Sequence, residues 1–142
     1  MDVRPFHVDH LKAMRLQPSQ AGRSHLLQGE VLEFLAGLEA YTAFADGQPV
    51  AACGLAEIWP GRAMAWAFLA ENAGPHLVGI TRAVRKFLDL KAPARTELYV
   101  DADFEPGRRW AEMLGFSCET PQPMRNFEPD GRAQYMYARV RA

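Results

Sequence analysis

The chain has 142 residues, 49% of them hydrophobic and 23% charged, with a formal net charge of -1. A chain of this length buries roughly 68–70% of its unfolded surface, enough for a core without metal or disulfide staples. Two cysteines, Cys53 and Cys118, and no CxxC pair exclude a disulfide framework and a zinc ribbon; the histidines share no ligand spacing, so no metal is expected. No apolar run approaches the ~20 residues of a membrane helix, and no apolar signal core follows Met1-Asp2-Val3-Arg4-Pro5. The expectation is a reduced, cytoplasmic, single-domain protein over residues 1–142 that engages neither membrane nor, given its balanced charge, nucleic acid.

In chain order, Val3 to Phe6 reads as a short edge strand, since Pro5 fits only where no ladder bond is needed. Asp9 is placed to cap a helix from His10 to Leu16, and Gln17 to Arg23 reads as a polar loop. Ser24 opens a second helix whose apolar face is Leu27, Val31, Phe34, Leu35 and Leu38. The period then drops to two. Tyr41 to Ala45, an Asp46-Gly47 turn and Pro49 to Ile58 predict a β-hairpin, and after Pro60-Gly61 a third strand runs from Ala63 to Leu69.

From Pro75 the pattern is helical again, with Leu77, Ile80, Thr81, Val84, Phe87 and Leu88 on one face, until Pro93 ends it. Thr96 to Val100 predicts a central strand. Pro106 suits the first turn of a short helix reaching Leu114, which Gly115 can stop. Phe116 to Cys118 and Gln134 to Val140 predict closing strands. The order β-α-α-β-β-β-α-β-α-β-β describes an α+β fold with a mixed sheet. Its one helical crossover makes the strands near 63–69 and 96–100 parallel.

Two segments carry chemistry. His76-Leu77-Val78-Gly79-Ile80-Thr81-Arg82 begins a helix after a strand, where unpaired N–H groups and the positive dipole end suit a pyrophosphate and Gly79 lets backbone come close. Asp103-Phe104-Glu105-Pro106, followed by Gly107 to Leu114 and then Gly115-Phe116, is the second. Segment order and both motifs resemble the GCN5-related N-acetyltransferase (GNAT) superfamily, and the likeness covers most of the chain. The resemblance implies an acyl-CoA N-acyltransferase fold: a mixed central sheet with a splayed parallel strand pair and flanking helices.

It further implies acetyl-CoA as cosubstrate, held by Phe68, Leu69 and Ala70 on the splayed strand and by His76, Leu77, Gly79, Ile80, Thr81 and Arg82 at the helix start. The acceptor would be an amine of a small molecule or peptide, with the chain working as a homodimer. Glu57 and Glu71, near the expected acyl site, are the candidate general bases, with His25 and His76 behind them. The chain departs from the family at Ala111, where a tyrosine usually protonates the leaving thiolate, at Phe104, where an asparagine is usual, and in the phosphate motif, where His76 and Thr81 stand in place of the family's Gln/Arg and final Gly/Ala. A short, divergent member of this kind also resembles phage-encoded GNAT-like proteins, so a catalytically inactive binding or structural role stands as the alternative. Trp59, Trp66, Trp110 and Phe68 are expected to fill core, and Cys53 and Cys118 to behave as small buried hydrophobes.

Overall fold

A computed structural model describes residues 1–21, 30–36 and 38–141. The elements are β1 (Asp2–Pro5), α1 (Val8–Lys12), α2 (Pro18–Ala21), α3 (Glu30–Ala36), β2 (Glu39–Ala45), β3 (Gln48–Trp59), β4 (Arg62–Leu69), a 3₁₀ turn (Gly74–His76), α4 (Leu77–Lys91), β5 (Arg95–Asp101), α5 (Glu105–Met113), β6 (Ser117–Cys118) and β7 (Gln134–Val140). The strands form one mixed sheet in the order β1-β2-β3-β4-β5-β7-β6, with β4 parallel to β5. By Cα proximity the chain divides into two compact units, Met1–Ala56 with Ala65–Val84, and Glu57–Met64 with Arg85–Ala142.

In the first unit β1 is an exposed edge strand antiparallel to β2, and β2 pairs with β3 in the register Glu39↔Leu55 to Ala45↔Gln48. Asp46 (φ 51°) and Gly47 (φ 76°) turn this hairpin with both central residues left-handed, the geometry that matches strand twist. The core gathers Leu11, Met14, Leu35, Ala52 and Ala70, with Phe6, Leu16, Leu38, Trp66 and Phe68 packed against them. Small residues are required where rings lie close: a Cβ on Gly54 would stand 2.6 Å from Cζ2 of Trp66.

In the second unit β5 and β7 pair antiparallel along their length, Arg95↔Val140 to Asp101↔Gln134. Tyr137 is completely buried, and its hydroxyl accepts a hydrogen bond from Arg108 Nε at 3.0 Å. The Glu97 carboxylate, nearly as buried, accepts from Arg62 Nε (3.0 Å) and Nη2 (2.7 Å) and from Arg95 Nε (2.5 Å). Arg95 also grips Glu119, with Nη2 2.5 Å from Oε1. Helix α5 stops in a Schellman motif: Gly115 (φ 93°) donates to Glu112 O at 3.0 Å, and Phe116 to Ala111 O at 3.0 Å.

Several expectations change. His7, not Asp9, caps the first helix: its Nδ1 accepts from Asp9 N–H at 3.1 Å, and the helix ends at Lys12 rather than Leu16. Part of the expected polar loop is the short helix α2. Ser24 and Leu27 lie outside the described residues; of the remaining expected face, Leu35 is buried while Val31 and Phe34 (60% exposed) are not. Cys53 is a small apolar group whose thiol burial pushes up to about 12, but Cys118 is exposed. Trp59 is exposed rather than core, its ring 4.6 Å from the Arg62 guanidinium carbon.

Candidate functional site

The residues expected to hold a cofactor all fall in the first unit, on the end of β4, the turn after it and the start of α4. The direction of the β4 backbone decides what each can offer. Odd-numbered groups face the edge shared with β5, where Gly61 O accepts from Arg95 N–H at 2.9 Å; even-numbered Ala70 donates to Val50 O on β3 at 2.9 Å. Period-two alternation therefore puts the N–H and C=O of Ala67 and Leu69 on the edge of β4 turned away from β3. The parallel register covers only Arg62↔Arg95, Ala63↔Thr96 and Met64↔Glu97, although both strands run on.

Past Met64 that edge meets a different partner. The Gln20 carboxamide donates from Nε2 to Ala67 O and accepts at Oε1 from Leu69 N–H, both at 2.8 Å. Leu69 O accepts from Gln17 N–H at 3.0 Å, and Glu71 N–H donates to Arg15 O at 2.7 Å. Leu16 and Ala70 form an antiparallel bridge. Residues Arg15 to Gln17 thus run along the end of β4 as a substitute strand, and Gln20 reaches the same edge with its side chain from α2. Sequence reasoning missed them, because a segment of mixed polarity between two short helices carries no period.

Beyond β4, Ala73 to Leu77 close into the 3₁₀ turn, with His76 N–H donating to Ala73 O at 2.8 Å and Leu77 N–H to Gly74 O. This turn satisfies leading amides that a longer loop would leave free. Gly79 faces Met1: a Cβ there would stand 3.0 Å from the Met1 Cε methyl. Ile80 is core, and Thr81, also buried, donates its hydroxyl to Leu77 O at 2.7 Å. Arg82 is exposed one turn into α4. His76 lines a hollow of about 350 Å³ with Met1, Asp2, Arg4, Phe44 and Asp46.

Of the candidate bases, Glu71 follows directly on the β4 edge, exposed, with a carboxylate oxygen 3.5 Å from Arg15 Nη1. Glu57 belongs to the second unit, exposed near the end of β3, and His25 lies outside the described residues. In the motif of the second unit Phe104 stands at the N-cap of α5 without a side-chain cap; its ring lies so close to Gly107 that a Cβ there would be 2.5 Å from Cδ2. Ala111 is buried on α5 and brings no hydroxyl. Tyr135 and Tyr137 are both engaged by Arg108, one beneath its guanidinium at 4.1 Å and the other through its hydroxyl.

No family model matches the chain, and no curated protein matches it. Solved structures do. Ard1 from Thermoplasma volcanium superposes with a TM-score of 0.75 at 14% identity, over 99% of this chain and 97% of that one. The ribosomal-protein-S18-alanine N-acetyltransferase from Escherichia coli gives 0.67 at 16% identity, over 98% and 92%. An acetyltransferase of the GNAT family from Streptococcus pneumoniae gives 0.68 at 14%, over 99% of each chain. The fold is thus that of an acyltransferase, with the mixed sheet expected from segment order and the flanking helices that the resemblance implies. More particularly, the chain has the GCN5-related N-acetyltransferase fold along nearly its whole length.

Proposed function

We propose that the chain is an acyl-CoA-dependent N-acyltransferase that moves an acetyl group directly from acetyl-CoA to an amine of a small molecule or peptide, acting in the cytoplasm as a single domain. The observation that carries this reading is the second half of β4. Its edge holds a carboxamide on Ala67 O and Leu69 N–H at 2.8 Å each, so it fits the planar amides of a pantetheine arm. Acetyl-CoA supplies an activated acyl thioester. The edge amides of β4 orient that group and are the donors available to a developing oxyanion. Of the expected strand residues Leu69 contributes backbone to this edge, since Phe68 and Ala70 turn theirs toward β3; His76, Leu77, Gly79 and Arg82 belong to the helix start proposed to face the phosphates, with Ile80 and Thr81 buried behind them.

Glu71 is the first candidate to take the proton from the attacking ammonium, because it follows the edge directly; Glu57 is the second. As the C–N bond forms and the C–S bond breaks, the leaving thiolate takes its proton from water, since Ala111 has none to give. A second reading, a GNAT-fold binding protein without catalysis, is favoured by Ala111 together with the segment already seated on the β4 edge. Calorimetric titration with coenzyme A, followed by thiol release from acetyl-CoA over a panel of amines and peptides, separates the two. Binding with amine-dependent thiol release supports the enzyme, binding alone supports the second reading, and no binding at ~1 mM ligand, an affinity weaker than about -4 kcal/mol, sinks the first.

A further inference from the structure

Four backbone groups of the β4 edge, Ala67 O, Leu69 N–H, Leu69 O and Glu71 N–H, are met by Arg15 to Gln20. Three of those bonds are made to Leu69 and Glu71, where a ligand laid along the strand would have to pair. Two of the four come from one side chain, and that side chain is chemically an amide. Gln20 presents a donor and an acceptor to a C=O and an N–H two residues apart, as the peptide unit of an added strand or the amide of an extended ligand does. A side chain held by two neutral hydrogen bonds can be exchanged for a ligand of the same chemistry at small net cost, because bonds are swapped rather than lost.

We propose that Arg15 to Gln20 is a strap that keeps the β4 edge paired in the free protein, that Gln20 is its latch, and that an amide-bearing acyl donor binds only by displacing it. The inference rests on the reading that this edge takes a pantetheine arm. Part of the donor's binding free energy is spent on opening the strap, so its apparent affinity is reduced by the fraction of molecules already open. The strap also shields Leu69 and Glu71 amides from solvent while no ligand is present. Short helix α2, which carries the latch, moves with it.

The test compares wild type with Gln20→Ala and Gln20→Glu. Alanine removes both bonds; glutamate keeps an acceptor for Leu69 N–H but sets a carboxylate against Ala67 O. With coenzyme A as probe, Gln20→Ala should bind roughly tenfold more tightly, since two neutral hydrogen bonds no longer compete. Amide hydrogen exchange supplies the second measurement: Leu69 N–H should exchange faster in Gln20→Ala than in wild type without ligand, and coenzyme A should restore protection. Equal or weaker coenzyme A binding by Gln20→Ala, with unchanged melting temperature, overturns the strap and leaves the acyltransferase reading standing. Unchanged Leu69 exchange overturns it too. If no form binds coenzyme A, the acyltransferase reading fails and the competition falls with it.

Discussion

In the unit of Glu57–Met64 and Arg85–Ala142, guanidinium groups tie the elements together. Arg62 and Arg95 converge on the buried Glu97, Arg95 reaches Glu119, Arg108 holds the Tyr137 hydroxyl, Arg139 pairs with Asp89, and Arg141 caps carbonyls at the end of α4. In the unit of Met1–Ala56 and Ala65–Val84 the bonds that join distant segments are mostly neutral: Gln20 to β4, and His10 to Thr42 at 2.9 Å. A long-range ion pair there, Arg15 with Glu71, is open to water at 3.5 Å. Charge-assisted bonds are short and roughly twice as strong as neutral ones, so the first arrangement suits a permanent scaffold. Neutral bonds to a strand edge exchange readily for a ligand's, so the second suits a surface that must let something in.

The largest test of that contrast is Tyr137→Ala. The ring is wholly buried and its loss also strips Arg108 of its acceptor, so about 4 kcal/mol of stability should go, read from urea unfolding. Tyr137→Phe keeps the volume and should cost ~1 kcal/mol. If the alanine variant lost no more than the phenylalanine one, the second unit would not be the scaffold described.

The corresponding blow to the first unit is steric. Gly54→Ala puts a methyl 2.6 Å from the Trp66 ring and 2.9 Å from Ala40 Cβ, both in the same packed layer. Overpacking of this kind costs ~1–3 kcal/mol, and displacement of the indole should shift Trp66 fluorescence. A variant as stable as wild type with an unmoved emission spectrum would mean that this layer yields, and that the first unit is soft throughout rather than only along the strap.

Elements set by local rules were legible. The Asp46-Gly47 turn demands positive φ, Gly115 ends α5 as a left-handed stop, and the Gln134 to Val140 strand has its predicted limits. What failed depended on partners far along the chain. Asp9 looked like the cap because its side chain is the usual one, yet His7 caps, held in a reciprocal pair with His10. Phe34 fitted an apolar spacing and lies exposed; Cys118 was expected inside and is not. At the candidate site the strand, turn and helix start were readable because they are consecutive. Gln20 was not, since a glutamine 47 residues before its partner Ala67 leaves no mark in any window of sequence.

The smallest expected effects are on pH, and they separate the units by window. Hydrogen bonds from Arg62, and with them those from Arg95, hold the Glu97 carboxyl below the usual 4.5 against the opposing effect of burial. The native state then binds fewer protons than the unfolded chain, so this contribution is complete above the unfolded value and drains away as pH falls through the folded one. His10 differs in cause but not in sign. Its Nδ1 accepts from His7 N–H at 3.1 Å and faces Thr42 Oγ1, which places the ring proton on Nε2. Burial first, then the charges of His7 and Arg4, push the imidazole below 6.5, with Asp9 opposing. Its contribution is present above 6.5 and fades as pH falls through the lowered value. Urea midpoints taken from pH 7.5 down to 3.5, an interval chosen to bracket both groups, should therefore fall in two stages. His10→Gln should flatten the stage that begins below 6.5, and Glu97→Gln the stage below 4.5. A wild-type profile that does not begin to fall below 6.5 would mean that burial and the charges of His7 and Arg4 do not hold the imidazole neutral in the folded state.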